Sequence, residues 1–353
     1  MIRKKKNPEP DLFGAFSLAN DNQAGPLPND RGFALPLVLW VLVILMVIAE
    51  EYAFTMRVEG SATRNFKDEV SARQLAVSGV SLAAAEMTAN YSIAAVDKDG
   101  KLVLFKREGR TFKPLKAGRA LALEEGNVSY EIKDERGKIN INTAARGTID
   151  ELLMLSGVEK TERDEIIDSV LDWRDPNHEF HLNGAEDEHY SALPEPYGAK
   201  DGNLDTVEEL LLIKGMTPEV FYGSLEVPER LSRGKGAGEG GYGGVARFFT
   251  TRGDGRININ TATETVLTAA LGKGKAQEIL LRRETEGFFE QPVEGGMVSS
   301  DVFLVRSTGE VRGIRVAVMA VLEKRPGSTD VTISYWNEEG ISPERRLPEP
   351  RER

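Results

Sequence analysis

The residues best able to do chemistry are concentrated in one acidic stretch, residues 171–216. All three histidines of the chain lie there, among many aspartates and glutamates. A hydrolytic zinc centre would use His178 and His181 with a carboxylate, and would keep one ligand position open. A structural calcium site would use only oxygen ligands, which a hard cation prefers. The candidate calcium ligands are Asp172, Asp175, Asn177, Glu186 and Asp187.

A third interpretation of this stretch is a solvated acidic loop that holds no ion. Runs of charged residues are usually solvated surface, so this alternative stays open. The loop is long and rich in Gly and Pro, however, and a bound ion would hold such a segment together. We therefore favour calcium over an empty loop, and both over zinc.

Other catalytic constellations are missing from the sequence. The chain has no cysteine, which excludes disulfides, zinc thiolate sites, iron–sulfur clusters and a cysteine nucleophile. It has no nucleophile elbow or dinucleotide fingerprint, and GKGKAQEIL at 272 lacks the Ser or Thr that follows GK in a phosphate-binding loop. The formal net charge of −11 repels the phosphate backbone of nucleic acids. The sequence predicts a protein that is not an enzyme and has no nucleic-acid partner.

The elements that must position the acidic stretch begin with an apolar segment. Residues 33–49, FALPLVLWVLVILMVIA, carry no charge and are just long enough to span a bilayer as one helix. Basic residues precede this segment and two glutamates follow it, so we expect a single-pass anchor with a cytoplasmic N-terminus. No small-x-small cleavage motif follows it, which argues against a secretory signal peptide. Apolar residues spaced three and four apart from 52 to 90 predict that the helix continues and packs on a core.

Strand-like runs flank a helical middle. They begin at 101, 111 and 127, and return at 245, 301, 312 and 330. We expect the two groups to join one antiparallel sheet around an inserted helical domain, which makes the predicted fold class α+β.

An internal repeat, GKININTA at 137–144 and GRININTA at 255–262, leads from an alternating segment into a helix in both places. Its asparagines are expected to tie down backbone donors in turns. Capping boxes are predicted at Thr148 with Glu151 and at Thr261 with Glu264. The four asparagines are Asn140, Asn142, Asn258 and Asn260.

The repeat also resembles the helix-hairpin-helix domains of DNA-uptake proteins, in which hairpin amides and lysines hold phosphates. The first hairpin here, SGVEKTERDE, is mostly acidic, and only the second carries Lys273 and Lys275. We expect a shared architecture without the shared ligand. The alternative function is a membrane-anchored DNA-binding protein of an uptake system.

The segment around Gly32 and Phe33 resembles the prepilin peptidase site of type IV pilins and pseudopilins. This resemblance implies a precursor that is cut after Gly32 and methylated at Phe33. Most members have glutamate at the fifth mature position, where this chain has Leu37. In the family, that glutamate is thought to neutralise the amino terminus of a neighbouring subunit within the bilayer, where an unpaired charge is costly. A subunit without it suits the first place of an assembly, at its tip.

The stretch LDWRDPNHEFHLNGAEDEHYSALPEPYGAKDGNLDTVEELLLIKGM resembles the protein K family of the type II secretion pathway. With the cleavage site, the leucine at the fifth position and the INxNTA copies, the resemblance covers residues 31 to about 337. It implies a minor pseudopilin in the bacterial inner membrane, with a periplasmic domain that caps the pseudopilus above subunits I and J. Calcium in the inserted domain, processing by prepilin peptidase, and contact with the outer-membrane secretin or cargo are further implications.

The resemblance also divides the chain. The predicted parts are a prepilin leader (1–32), the transmembrane part of the N-terminal helix (33–51), a first pilin-like part (52–134), an inserted helical domain with a Gly-rich linker (135–244), a second pilin-like part (245–340) and a disordered tail (341–353).

Overall fold

The computed structural model describes residues 34–115, 119–223, 244–325 and 328–339. The predicted leader, the cleavage site at Gly32 and Phe33, and the tail at 341–353 lie outside the described residues, as does most of the Gly-rich linker. The chain divides into two compact units, Met1–Thr63 and Arg64–Arg353.

The first unit is a single helix over its described residues. Helix α1 (Ala34–Thr88) is 55 residues long and begins in this unit. One 18-residue window of it has a mean hydropathy of 2.2 and is 0% buried. The helix is thus long and apolar enough to cross a membrane, and it fits the predicted single-pass anchor. Leu37 lies in this part of the helix and is 62% exposed.

The second unit begins with the rest of α1, from residue 64, and a small antiparallel sheet. Its strands are β1 (Ile93–Val96), β2 (Leu102–Glu108) and β3 (Thr111–Pro114), paired in that order. The runs at 101 and 111 were expected in the main sheet, and that expectation is wrong. Because β2 pairs with β1 on one side and with β3 on the other, it has no edge left for the main sheet.

A helical module follows strands β4 (Ala120–Ala122) and β5 (Asn127–Asp134). In chain order its elements are β6 (Ile139–Asn140), α2 (Arg146–Leu155), α3 (Lys160–Arg174), α4 (Asp187–Ser191), α5 (Pro218–Tyr222), β7 (Phe249–Thr250), β8 (Ile257–Asn258), α6 (Glu264–Leu271), α7 (Lys273–Glu286) and β9 (Gly296–Met297). Buried side chains of both repeats form one core that extends from Ile139 to Phe289, on both sides of residue 244.

The run at 245 differs from the predicted strand. It forms a 3-10 helix at Val245–Phe248, and only the two residues of β7 are extended. Strand β7 pairs in parallel with β6, which is itself two residues long, so the ladder cannot extend further.

The starts of α2 and α6 correct the predicted capping boxes. Helix α2 follows Ala145, so Thr148 lies inside the helix. Helix α6 follows Thr263, whose side chain accepts a hydrogen bond from the Val266 N–H. Ala145 and Thr263 are equivalent positions, one residue after each repeat, because the asparagine turn delivers the chain to the same point in both copies.

The main sheet is completed by β10 (Val302–Val311), β11 (Ile314–Lys324) and β12 (Val331–Glu339). Its strand order is β12-β11-β10-β5-β4, and all pairs are antiparallel. The pairing of β10 with β5 joins the strand groups on either side of the module. The predicted α+β fold, with a long helix, an antiparallel sheet and an inserted helical domain, is confirmed.

Within the second unit, α1 packs on this sheet. Ala76, Val80, Ala83 and Met87 are buried at helical spacing in a cluster with side chains of β5, β10 and β11. The approach is close: a Cβ on Gly309 would overlap the Ala72 carbonyl oxygen of the helix. This contact requires glycine at position 309.

Candidate metal centre

In each repeat, the side chain of the first asparagine forms a local turn. Asn140 Oδ1 accepts a hydrogen bond from the Asn142 N–H at 2.9 Å. Asn258 Oδ1 accepts one from the Asn260 N–H at 3.0 Å. These are Asx turns, in which a side chain replaces a backbone acceptor. The predicted turn role of the repeat asparagines is confirmed.

The side chain of the second asparagine in each repeat forms hydrogen bonds with both the backbone N–H and the backbone carbonyl of a residue distant in sequence. Asn142 accepts from the Leu204 N–H at 2.8 Å and donates to the Leu204 carbonyl at 3.0 Å. Asn260 holds Phe289 in the same way, at 2.7 Å and 3.0 Å. In the first repeat, residues 175–203 therefore lie between the end of α3 and a fixed point. We call residues 175–203 the acidic loop.

Helix α3 supplies a buried acidic base for this loop. Asp168 and Asp172 are four residues apart, so they share one face of the helix, and they are only 2% and 0% exposed. Asp168 Oδ2 accepts hydrogen bonds from the backbone N–H and side-chain amide of Asn183, at 3.1 Å and 2.9 Å. Burial alone would raise the pKa of Asp168, but the hydrogen bonds from Arg146 and Asn183 outweigh it and lower that pKa.

Asp172 holds the loop directly above it. Its two carboxylate oxygens accept from the His181 N–H at 3.0 Å and 3.2 Å, and Oδ1 also contacts the His181 ring Nδ1. The backbone at Gly184 comes so close that a Cβ there would overlap Asp172 Oδ2. Only glycine fits position 184 while the loop covers this carboxylate.

Two groups of potential ligands result. Donor atoms of Asp172, Asp175 and His181 all lie within 4.8 Å of one another. Asp175 Oδ1 also accepts from the Asn177 N–H at 3.1 Å, and Asn177 Oδ1 accepts from the Glu179 N–H at 2.7 Å. The start of the acidic loop is thus a chain of side-chain turns that ends beside the first group.

The second group joins His178, Glu186 and Asp201, whose donor atoms also lie within 4.8 Å of one another. Both carboxylate oxygens of Glu186 and Oδ1 of Asp201 are buried, and none has a hydrogen-bond partner within the described part of the chain. Burial, followed by the charges of Asp172, Asp201 and Asp175, raises the pKa of Glu186 to about 7. Buried oxygens without partners carry a free-energy penalty that a cation would offset.

The donor chemistry fits a hard cation. His178 and His181 lie in different groups, so neither group has the two histidines of the predicted zinc centre. Each group offers two carboxylates, whose oxygens suit calcium. The orphaned oxygens of Glu186 and Asp201 are the structural sign that a cation fits here.

The predicted ligands are distributed unevenly between the groups. Asp172 and Asp175 belong to the first, Glu186 belongs to the second, and Asn177 bonds Asp175. Asp187 points elsewhere: its Oδ1 accepts from the Ala199 N–H at 2.7 Å. The calcium ligand set stays a prediction.

Sequence reasoning missed Asp201. It has a positive φ of 50°, a conformation in which aspartate is enriched, and glycine follows it. An Asp-Gly pair is a turn signal that predicts where the far end of the loop reverses, although not that it meets Glu186.

Comparisons with known proteins agree with the motifs. Residues 121–223 match the family model of type II secretion system (T2SS) protein K, so the predicted resemblance to protein K is confirmed. The chain is 24% identical over 207 residues to the putative type II secretion system protein K of Escherichia coli K12. It is 26% identical over 214 residues to the type II secretion system protein K of Pectobacterium carotovorum. Both alignments cover 55% of this chain and 60% of the relative, so the chain spans under two thirds of the curated relatives it matches.

A solved structure is similar as well. It is the crystal structure of the GspK–GspI–GspJ complex of the type 2 secretion system of enterotoxigenic Escherichia coli. The match has 16% identity and a TM-score of 0.48, and it covers 80% of this chain and 99% of that one.

Proposed function

We propose that the chain is a minor pseudopilin at the tip of a type II secretion pseudopilus, where it assembles with the minor pseudopilins I and J. The observation that carries this proposal is the protein K match over 121–223, which contains the first repeat and the acidic loop. The apolar helix that begins at Ala34 supports it, since a pseudopilin needs such an anchor. The protein K family is a structural component of a secretion system, and we propose that this chain acts by assembly and not by catalysis.

Location and processing are part of the same proposal. The helix spans the inner membrane once, and the second unit lies in the periplasm, where its module faces the outer-membrane secretin or cargo. Prepilin peptidase cuts after Gly32, and Phe33 becomes the methylated amino terminus. Leu37 cannot neutralise the amino terminus of a neighbour, and this restricts the subunit to the first position.

The test is the amino-terminal sequence of the protein from cells with and without prepilin peptidase. A peptidase-dependent start at methylated Phe33 would support the pseudopilin assignment. An uncut Met1, or a start elsewhere, would contradict it and favour a plain membrane-anchored binding protein.

The tip position has its own test. Leu37→Glu restores the common residue, and we expect it to relax the restriction, so that crosslinks between two copies of the chain appear. A Leu37→Gln variant of similar size without the charge is the control. If the Gln variant gives the same crosslinks, the charge argument is wrong.

We further propose that calcium binds the two ligand groups, with Asp172, Asp175, Glu186 and Asp201 as its main oxygen ligands. Bound calcium would neutralise the crowded carboxylates and hold the acidic loop in one conformation. The full chain in detergent should melt at higher temperature with calcium than with a chelator. Glu186→Gln should reduce that gain, while Glu278→Gln on the exposed side of α7 should not. An equal calcium gain in both variants would place the ion elsewhere.

A further inference from the structure

Two apolar side chains in the acidic loop face water. Leu182 is 93% exposed, the most exposed large hydrophobic side chain of the described residues, and Phe180 is 69% exposed. A single exposed apolar side chain is ordinary, but Phe180 and Leu182 lie two residues apart on one loop. We call Phe180 and Leu182 the apolar tip.

The tip is held outward by the base of the loop. The N–H groups on either side of Leu182 are bonded to buried carboxylates: His181 to Asp172 at 3.0 Å, and Asn183 to Asp168 at 3.1 Å. These two bonds fix the backbone on both sides of Leu182, whose side chain faces water. The carbonyls of Asn183 and Gly184 also accept hydrogen bonds from Lys214 Nζ, at 3.1 Å and 3.3 Å. The apolar tip is therefore preorganised, which lowers the entropy cost of binding a partner.

Exposed acidic groups lie beside Phe180. This side chain lines a surface recess together with Asp187 and Glu188, and with His178 and His189. Glu179, Asp187 and Glu188 are exposed. A surface that complements this arrangement has an apolar cleft with lysine or arginine at its edge.

We propose that the apolar tip inserts into an apolar cleft, bordered by basic residues, on another protein of the secretion assembly. The acidic border disfavours the two other occupants of such a tip. An anionic bilayer would repel this border. In a contact between two copies of the chain, the two acidic borders would repel each other. The inference rests on the proposed function in that the chain acts by binding proteins.

The experiment places a photocrosslinking amino acid at position 182 of the full-length chain in the cells that produce it, and identifies the crosslinked peptides by mass spectrometry. The matched control is position 281, since Leu281 is 63% exposed and belongs to α7, outside the acidic loop. We expect one protein captured at least fivefold more at 182 than at 281, through a peptide with lysine or arginine beside apolar residues.

Charge reversal then tests the border. Glu188→Lys should reduce the crosslink at least fivefold, and exchange of the partner's basic residue for glutamate should restore it. Phe180→Ser should reduce it similarly, with an unchanged melting temperature as evidence of folding. Capture of a second copy, capture of lipid, a yield at 182 no higher than at 281, or a crosslink indifferent to Glu188→Lys would each overturn the proposal.

A failure of the proposed function itself would look different. Processing by prepilin peptidase and co-purification with the other minor pseudopilins are measured in the same cells. If both persist while the crosslink fails, only the tip inference is wrong. If both fail as well, the chain is not a pseudopilin.

Discussion

The two repeats are the same scaffold put to different uses. In each, an asparagine turn leads into a helical hairpin, α2–α3 or α6–α7, and an arginine from the second helix donates to the last carbonyl of the repeat. These bonds are Arg174 to Ala144 at 2.8 Å and Arg283 to Ala262 at 2.7 Å. In the first copy, the whole acidic loop lies between the second helix and Leu204, the residue that Asn142 holds. In the second copy, only a short turn lies between the second helix and Phe289, the residue that Asn260 holds. The scaffold supplies the fold, and an insertion into one copy supplies the candidate site together with Asp172 of α3.

Their surroundings differ as much as their loops. The Asn258 side-chain amide donates to the Ala94 carbonyl, Asp134 Oδ2 and Ser300 Oγ, at 2.9 Å, 2.8 Å and 3.0 Å. The equivalent Asn140 donates to the carbonyls of Arg252 and Gly253, at 3.2 Å and 2.6 Å. Asn258 of the second repeat thus fastens the module to the strands β1 and β5. Over the described residues, the hydrogen bonds that the Asn140 and Asn142 side chains donate stay within the module.

The largest expected effect breaks the second copy. Asn258→Ala removes one donor from Asp134, a buried carboxyl whose pKa is raised by burial, an effect that the hydrogen bonds from Ser300, Thr261 and Asn258 oppose. We expect a loss of about 3–5 kcal/mol in the free energy of unfolding, since Asp134, the Ala94 carbonyl and the Asn260 N–H each lose a buried partner. Asn140→Ala leaves only neutral groups unpaired, namely the Arg252 and Gly253 carbonyls and the Asn142 N–H, and should cost about 1–2 kcal/mol. Denaturant unfolding of the full chain in detergent measures both, and equal losses would contradict the division of roles.

The next effect concerns pH and belongs to the first copy. Glu186 has a pKa of about 7 in the folded protein against an ordinary value of 4.5. Because the folded state holds the proton more tightly, this group stabilises the fold fully below pH 4.5, and that stabilisation is lost as pH rises to about 7. The loss is about 3 kcal/mol at most.

The measurement is the free energy of unfolding against pH, in a chelator. Glu186→Gln should flatten the fall between about pH 4.5 and 7 relative to the parent chain. Other groups, Asp134 among them, titrate in both proteins and cancel in the difference. Glu278→Gln on α7 of the second copy should leave the curve unchanged. A parallel shift of the Glu186→Gln curve, with the slope intact, would show that Glu186 is ordinary.

The third effect opens the loop. Asn142→Ala releases Leu204, and we expect proteolysis within residues 175–203 to accelerate about tenfold, as a loss of about 1.4 kcal/mol in local stability implies. Asn260→Ala releases Phe289 instead, and cleavage should then appear near the end of α7. Timed digestion of the full chain with mass spectrometry of the fragments separates the two. Identical fragment patterns would mean that the hydrogen bonds of Asn142 and Asn260 do not stabilise their own segments.

The periodicity of apolar residues and the composition of the sequence were enough to predict much of this fold. The strand at 127–134 and the long helix follow from local spacing, and the asparagine turns follow from residue chemistry. The separate sheet of β1 to β3 was not predictable, because strand neighbours depend on which edges remain free. Asp201 was missed for a similar reason: its distance from Glu186 depends on how residues 187–200 return across α3, and no periodicity records that path.

The last prediction concerns DNA binding by the two helical hairpins, for which we expect no effect. Lys273 and Lys275 lie in the first turn of α7, whereas the first turn of α3 carries Lys160 and Glu162. Lys275 lies 3.5 Å from Glu294, so its charge is already partly balanced. On a chain of net charge −11, the remaining lysine cannot release enough counterions for stable binding to DNA. We therefore expect no DNA retention at about 150 mM salt, and no change in the double variant Lys273→Glu, Lys275→Glu. Salt-dependent retention that the double variant abolishes would instead make the second hairpin a phosphate-binding element, and would favour the DNA-uptake alternative over secretion.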